Sequence, residues 1–279
     1  MVTQEQRRRQ LAREKFLRQQ QRRTSARRKA HARNAVIASV LGVIVVGSVV
    51  SYATGVFKKD DDDKSNAAAE ATPSASPSKA PDPCDKAAAG KVKSLTYKKE
   101  PAITIDKSAD YTMKLQTTCG AIDIDMPASK APHTVNSFSF LTGKGYLDHT
   151  KCHRLTTNGI YVLQCGDPQG TGMGGPGYTI PDENLKDKRL KGNVYPAGTV
   201  AMANQYNAQT KEGRDSGGSQ FFLVYQDSQL PANYTPFGTI SESGMKVMKK
   251  IAAAGEATGQ GDGAPNATVV IDKATVTKS

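Results

Sequence analysis

Two hydrogen-bonding side chains, Arg154 and Gln164, stand ten residues apart near the middle of the chain, and a glycine-dense stretch follows them. The guanidinium of an arginine is always charged and offers a rigid fork of donors, which can stabilise a lone pair or partial charge that develops in a reacting group. A glutamine beside it can hold the fork in place or bind a peptide backbone. The pair predicts a site that works through hydrogen bonds and electrostatics. Taken alone, Arg154 would fit a surface ion-pairing residue better.

Other chemistries find little support in the sequence. His153 neighbours Arg154 and is considered as a base, but the other histidines are scattered and no coherent Ser-His-Asp set stands out. The segment Gly170–Gly177 contains the pattern G-x-G-x-x-G, yet a dinucleotide site needs a helix after this loop, and Pro176 argues against one. No two cysteines have the C-x₂-C spacing of a metal site. The sequence therefore predicts no cofactor and no metal.

Three stretches outside the segment of Arg154 and Gln164, residues 111–118, 120–126 and 268–277, alternate apolar and polar residues with period two, as half-buried strands do. Arg154 and Gln164 themselves stand in two short predicted strands around the turn at 156–159. Strands are predicted at 111–118, 120–126, 152–155, 159–164, 199–203, 219–225 and 268–277, and helices at 132–141 and 245–254. Many strands with two helices in about 180 residues predict a mainly β fold, a closed antiparallel β-barrel capped by two α-helices. Arg154 and Gln164 then lie on neighbouring strands of one hairpin.

The N-terminal part of the chain has a different composition. Residues 1–34 carry twelve Lys or Arg against two Glu, and so account for most of the net charge of +12. Residues 35–57 contain no charged residue and, at about 1.5 Å per residue, would span roughly 34 Å as a helix, enough to cross a bilayer. The positive-inside rule then puts the basic tail in the cytoplasm and the rest of the chain outside it.

The apolar segment 35–57 has a competing interpretation as a cleaved signal peptide. The apolar core of a signal peptide is usually ~7–15 residues long, and no clear A-x-A site follows here, which favours an uncleaved signal anchor. Phe16 is the only aromatic residue of the basic tail that could stack on a base, so no nucleic-acid partner is expected. Residues 58–94, rich in Pro, Ala and Ser, lack the apolar residues of a core and predict a linker, which leaves 95–279 as the folded domain.

The segments Cys152–Tyr178, Thr199–Asn204 and Gly218–Phe222 resemble the cyclophilin family of peptidyl-prolyl cis-trans isomerases, and the likeness runs from about Tyr111 to Thr277. The resemblance implies a cyclophilin-like barrel that isomerises X-Pro bonds. This reaction rotates an amide against a barrier of roughly 18–20 kcal/mol and breaks no σ bond. The nitrogen of the twisted amide regains a lone pair, which a fixed guanidinium can bind. No general acid or base is required.

The resemblance also implies roles for individual residues. Arg154 matches the catalytic arginine of the family. Tyr161 stands where a phenylalanine usually lines the proline pocket, and Val162 stands where a methionine is usual. The backbone of Ala203 and Asn204 matches the segment that pairs with substrate. The remaining matched substrate-binding positions are Gln164, Gln220, Phe222, Leu230 and Tyr234.

Departures from the family pattern bear on ligand choice. The chain has no tryptophan, and Gln229 takes the place of the tryptophan that often hydrogen-bonds cyclosporin-type inhibitors, so we expect weak cyclosporin binding. The loop Gln205–Gly218 is longer than in compact family members and could alter which flanking residues of a substrate are accepted.

The chain has 4 cysteines, which allow three pairings that sequence alone cannot distinguish. If the two strands around the turn at 156–159 pair, Cys152 and Cys165 lie near the same end of adjacent strands and could form a bridge. Cys84 and Cys119 would then remain to fasten the linker to the first turn. Both disulfides are hypotheses, and four free thiols are the alternative.

Together these inferences predict a single-pass protein of the cell membrane, with a cytoplasmic N-terminus and a tethered extracytoplasmic cyclophilin-like domain. Its expected activity is cis-trans isomerisation of X-Pro bonds, and its expected partners are extracytoplasmic polypeptides that contain proline. The alternative is a non-catalytic module of the same fold that binds proline-containing peptides or acts as a chaperone. Retention of Arg154, Gln164, Gln220 and Phe222 together argues against that alternative.

Overall fold

The computed structural model describes residues 81–279, which form a mainly β fold with two helices. The predicted basic tail, the predicted membrane anchor and residues 58–80 of the predicted linker lie outside the described residues. Among the helices of residues 81–279, none has both the length and the apolar character needed to cross a bilayer. The strands are β1 (Asp110–Thr117), β2 (Gly120–Pro127), β3 (Thr150–Lys151), β4 (Arg154–Thr156), β5 (Val162–Cys165), β6 (Val194–Tyr195), β7 (Thr199–Met202), β8 (Phe221–Val224), β9 (Ser228–Gln229), β10 (Pro236–Ile240), β11 (Asp262–Gly263) and β12 (Val270–Lys278).

Ten of the described strands pair in one antiparallel sheet in the order β11-β4-β5-β8-β7-β10-β2-β1-β12-β3, and β6 pairs with β9. The predicted alternation is visible in the hairpin of β1 and β2, where Met113 pairs with Ile124 and Leu115 with Ile122. All four side chains are buried, while the residues between them face outward or are half-buried. Period-two patterning thus turns one face of the sheet to the core.

The sheet curls around this core without closing through strand pairing. Its pairing order ends at β11 and β3 among the described strands, and β3 is followed by β4 after only two residues. Thr150 and Lys151 pair with β12, whereas Arg154 and Leu155 pair with β5. One bent stretch of chain therefore joins the strand at one end of the sheet, β3, to the strand next to its other end, β4. The mainly β fold with two helices is confirmed, and the predicted closed barrel is corrected to a curled half-barrel.

The two helices pack on the sheet, the first against β12 and the second against β2. Helix α1 (Pro132–Gly143) has proline at its first turn and buries Val135, Phe138 and Leu141. Helix α2 (Glu242–Ala253) begins three residues before its predicted start. The reason is Ser241, whose hydroxyl accepts a hydrogen bond from the Gly244 N–H at 3.1 Å and caps the helix.

An extended segment precedes β1 and lies on the domain. Cys84 forms a disulfide with Cys119, and the Asp85 N–H donates to the Thr118 carbonyl at 2.8 Å. Further along, the Tyr97 N–H donates to the Pro176 carbonyl at 2.8 Å. The last part of the predicted linker therefore contacts the folded domain, and the segment reaches the glycine-dense loop beside the site.

Candidate active site

A small pocket opens where β4, β5 and β8 lie side by side. The sheet register places Arg154 opposite Gln164 and Gln164 opposite Phe222. The pocket has a volume of about 220 Å³. Its lining residues are Arg154, Ile160, Val162, Gln164, Ala203, Asn204, Phe222, Leu230 and Tyr234.

Arg154 is held from two sides. Its Nη1 donates to Gln164 Oε1 at 3.2 Å, and its Nε and Nη2 donate to the two carboxylate oxygens of Asp262 at 2.7 and 2.8 Å. The hydrogen bond with Asp262 raises the pKa of Arg154, and it holds the pKa of Asp262 below its ordinary value. Both groups are therefore charged at neutral pH, and the guanidinium plane is fixed by a bidentate contact.

Two amide side chains extend this contact across the sheet. Gln164 Nε2 donates to Gln220 Oε1 at 2.9 Å, and Gln220 Nε2 donates to the Gly174 carbonyl at 2.8 Å. Each amide thus has its orientation fixed by a partner at either end. We call Gly174, Gln220, Gln164, Arg154 and Asp262 the polar row.

The glycine loop, residues 166–177, carries one end of the polar row and is organised by Asp167. This carboxylate is fully buried and accepts the N–H groups of Gln169, Thr171 and Gly172 at 2.8, 2.9 and 2.7 Å. Burial alone would raise its pKa, but the backbone hydrogen bonds outweigh burial and hold the pKa below its ordinary value. Gly174 lies so close that a Cβ there would collide with the Asp167 carboxylate, which explains the glycine.

The late loop, residues 256–263, carries the other end of the polar row. The carboxylate of Glu256 accepts the N–H and hydroxyl of Thr258 at 2.6 and 2.7 Å and the N–H of Gly261 at 2.8 Å. The hydrogen bond from the Thr258 side chain is the main reason why the pKa of Glu256 is lowered. The loop then enters β11, which pairs Asp262 with Thr156 of β4.

Aromatic packing forms the apolar wall of the pocket. The Phe222 ring meets the Tyr234 ring edge-on, with centroids 5.4 Å apart. Tyr195 lies behind both rings, and its hydroxyl donates to the Tyr234 carbonyl at 2.7 Å. Val162 completes this small buried cluster. The wall is a rigid apolar surface with no charged side chain of its own.

The structure differs from the sequence prediction at Tyr161. The Tyr161 ring packs on Tyr225 with centroids 5.9 Å apart, and its N–H donates to the Ser228 hydroxyl at 2.9 Å. Ile160 lines the pocket in its place. Successive side chains of an extended chain point to opposite faces, so counting back from Gln164 in steps of two leads through Val162 to Ile160. The other matched substrate-binding residues line the pocket, except Gln220, which lies in the polar row.

In the described part of the chain, the side chain of Asn204 is hydrogen-bonded, whereas its backbone N–H and carbonyl are not. Its amide donates to the Asn233 carbonyl at 2.8 Å and accepts the Tyr206 N–H at 3.2 Å. Within residues 81–279, no hydrogen bond uses the Asn204 N–H or carbonyl. The anchored side chain therefore presents a free peptide group at the pocket edge, where an extended polypeptide could pair with it.

A larger cavity of about 780 Å³ adjoins the pocket and shares Gln164, Ala203 and Asn204 with it. Residues 172–179, which are the end of the glycine loop and the two residues after it, form one side of the cavity. Gln205 and Ser216 of the long loop, residues 205–218, form the other. The long loop is held by Arg214, which stacks on Tyr206 at 3.6 Å and pairs with Asp182 at 3.2 Å. A chain that fills the pocket would continue into this cavity.

The hairpin that carries Arg154 and Gln164 is fastened at its base by a disulfide between Cys152 and Cys165. With Cys84–Cys119, these are the two hypothesised pairs, and residues 81–279 contain no free cysteine. His153, considered as a base, has both ring nitrogens buried without a hydrogen-bond partner in this part of the chain, and burial lowers its pKa. A neutral, buried imidazole is a packing residue here.

The family model of the cyclophilin type peptidyl-prolyl cis-trans isomerase/CLD matches residues 112–276. A probable peptidyl-prolyl cis-trans isomerase B of Mycobacterium leprae is 46% identical over 172 residues, which cover 59% of this chain and 56% of the relative. Its counterpart in Mycobacterium tuberculosis is 44% identical over 171 residues, covering 58% and 53%. The peptidyl-prolyl cis-trans isomerase cypE of Dictyostelium discoideum is 36% identical over 148 residues, covering 52% of this chain and 86% of the relative. The chain spans about half the length of the two mycobacterial relatives.

Proposed function

Because this chain belongs to the cyclophilin family of peptidyl-prolyl isomerases, we propose that it catalyses the cis-trans isomerisation of X-Pro bonds. One observation carries the proposal: Arg154 lies at an apolar pocket with its guanidinium fixed on two sides by Gln164 and Asp262. A group with this charge and rigidity can act on an amide without any covalent step.

In the proposed reaction the proline ring enters the pocket against Val162, Phe222 and Leu230. The residues before proline extend along the free peptide group of Asn204 into the larger cavity. The planar amide resists rotation by roughly 18–20 kcal/mol because resonance is lost in the twisted form. The twisted nitrogen carries a lone pair, and Arg154 donates to it, which stabilises the transition state more than either planar ground state.

We propose that the domain acts outside the cytoplasm, tethered to the cell membrane by residues 35–57, on proline-containing segments of extracytoplasmic proteins. The two disulfides of the domain support this location, because disulfides persist in oxidising compartments and are rare in the cytosol. Labelling the full chain with a thiol reagent tests it. Labelling should occur only after reduction, and the chain should fractionate with membranes; free thiols or a freely soluble chain would count against it.

Weak binding of cyclosporin belongs to the same proposal. Gln229 is exposed on the short strand β9 and replaces the indole that the inhibitor usually meets. Inhibition of the isomerase by a cyclosporin titration would then need far higher concentrations than in family members with tryptophan. Tight inhibition would contradict this part of the proposal.

The isomerase is tested by measuring the exchange of an X-Pro peptide with the full chain, wild type beside Arg154→Ala. Loss of one preorganised donor costs about 10²–10³-fold in turnover, and we expect a fall of that order. Arg189→Ala is the matched control, because Arg189 also pairs with a carboxylate, Asp187 at 2.9 Å, and its side chain is 38% exposed against 37% for Arg154. A folded wild type without acceleration would contradict the proposal and favour the non-catalytic peptide-binding module.

A further inference from the structure

The contact between Arg154 and Asp262 joins two residues 108 positions apart in the chain. No role follows for Asp262 from the sequence patterns, since it lies in a short stretch with no strand signal. In the structure its two carboxylate oxygens meet two nitrogens of the guanidinium, at 2.7 and 2.8 Å. This is the shortest pair of contacts that Arg154 makes, and its other side-chain hydrogen bond, to Gln164, is 3.2 Å.

The donors of Arg154 can be counted. A guanidinium has five N–H donors in a fixed plane. Asp262 accepts from Nε and Nη2, and Gln164 accepts from Nη1, so three donors are used. The two that remain belong to the terminal nitrogens Nη1 and Nη2. Any contact of Arg154 with a substrate amide must therefore come from the end of the fork that the carboxylate leaves open.

Asp262 is itself held in place. Strand pairing sets Asp262 opposite Thr156 and Gly263 opposite Leu155. The Thr258 hydroxyl, which also donates to Glu256, lies 3.2 Å from the Asp262 carbonyl. The carboxylate is thus carried by a paired strand at the end of a loop that is built around Glu256. Its position does not depend on Arg154 alone.

We infer that Asp262 is a positioning residue for Arg154, which fixes the plane of the guanidinium so that its two free donors face the bound amide. This inference rests on the proposed isomerase function. A misplacement of about 1 Å can cost on the order of 10²-fold in rate, and without Asp262 the guanidinium would keep only the Gln164 contact and could rotate about its long side chain.

The sign of the effect separates positioning from simple charge. If Asp262 only weakened the positive field of Arg154, its removal would leave a stronger cation and turnover would rise. If Asp262 positions the fork, its removal lowers turnover although the local charge becomes more positive. The bound peptide is held by the apolar wall and the Asn204 backbone, so its affinity should change little.

The test uses the full chain and NMR exchange of an X-Pro peptide, which gives the dissociation constant and the bound-state exchange rate separately. For Asp262→Ala we expect the exchange rate to fall about tenfold or more, with the dissociation constant within about threefold. Asp262→Glu should recover part of the rate, because it keeps a carboxylate. In an Arg154→Ala background, Asp262→Ala should cause no further loss, since the group it positions is gone.

The test has one control variant and one independent spectroscopic readout. Asp106→Ala removes a carboxylate of another exposed ion pair, with Lys278 at 2.9 Å, and should leave the rate unchanged. The Nε–H resonance of Arg154 should be protected from solvent exchange in the wild type and lose that protection in Asp262→Ala. An unchanged or increased rate in a folded Asp262→Ala chain, beside a wild type that Arg154→Ala disables, would overturn the inference and leave the isomerase standing. A wild type without isomerase activity would remove both.

Discussion

The glycine loop and the late loop hold the two ends of the polar row, and they are built on the same plan. In each loop one carboxylate, Asp167 or Glu256, accepts backbone N–H groups and one threonine hydroxyl. They differ in what they offer to the site. The glycine loop ends the row with a neutral carbonyl, that of Gly174, whereas the late loop ends it with the charge of Asp262.

Stability and chemistry are divided between these two similar loops. Asp167 is fully buried and Glu256 is 7% exposed, so the glycine loop contains the more completely desolvated charge. A carboxylate that is more completely removed from water depends more on its hydrogen bonds. Damage to the glycine loop should therefore reduce folding stability first, and damage to the late loop should reduce turnover first.

The largest expected effect is on the folding stability of Asp167→Ala. The change leaves several buried N–H groups of the glycine loop without an acceptor, and we expect the free energy of unfolding to fall by about 3 kcal/mol. Denaturant unfolding of the full chain measures it, with Glu256→Ala as the comparison, for which the loss should be clearly smaller. Equal losses of unfolding free energy in Asp167→Ala and Glu256→Ala would show that the two loops contribute equally to stability.

A smaller effect should appear in the wild type on acidification, because Asp167 is then protonated and not removed. Its folded pKa lies below the ordinary 3.8, so its contribution is complete above that value and is lost as the pH falls through the lower, folded pKa. The unfolding free energy should therefore decline below about pH 4. Asp167→Asn should decline less steeply over the same range, and a parallel decline would show that other carboxylates dominate.

Gln220→Ala tests the neutral end of the polar row. It removes the hydrogen bonds to Gly174 and to Gln164, and a neutral hydrogen bond contributes roughly 0.5–1.5 kcal/mol, or about two- to tenfold in rate. We expect the bound-state exchange rate to fall within that range, less than for Asp262→Ala. A larger fall than for Asp262→Ala would show that the glycine-loop end of the polar row controls the rate more than the late-loop end does.

The sequence predicts most of the frame that carries the polar row. β1, β2 and β12 are readable because each turns one face to the core, and the alternation of apolar residues records that face. The hairpin of Arg154 and Gln164 is not recorded by alternation, since successive residues of β4 and β5 are buried, and it is predicted from two short strands on either side of a turn. The sequence pattern puts the start of α2 at residue 245, where the apolar residues begin. The helix in fact begins directly after Ser241, because the serine hydroxyl accepts the Gly244 N–H, and such a cap has no apolar periodicity.

Other parts of the site leave no such record. β11 has only two residues, which are too few to show a periodic pattern, and it forms because β4 lies beside it. The contact of Asp262 with Arg154 is a tertiary contact between residues far apart in the sequence. The choice between Tyr161 and Ile160 depends on which way the chain faces just before the short strand β5. Matching the family residue by residue gave the tyrosine, whereas the alternation counted back from Gln164 gives Ile160.

The smallest expected effects come from a matched pair of substitutions, Thr171→Val and Thr258→Val. Each threonine hydroxyl donates to the organising carboxylate of its loop, at 3.1 Å to Asp167 and 2.7 Å to Glu256. Each also accepts a backbone N–H, from Met173 at 3.2 Å and from Gln260 at 3.1 Å. Valine keeps the shape and removes the hydroxyl in both loops.

The two variants should part in what they change. Thr171→Val should lower the unfolding free energy by about 1 kcal/mol, the usual contribution of one hydrogen bond, with turnover within twofold. Thr258→Val should lower the unfolding free energy by a similar amount and, in addition, lower the bound-state exchange rate about two- to threefold, because Asp262 follows in the same loop and a small displacement reaches Arg154. If Thr171→Val slowed exchange as much as Thr258→Val does, the glycine loop would position Arg154 as well as the late loop does. The charge at one end of the polar row would then not be what sets the two loops apart.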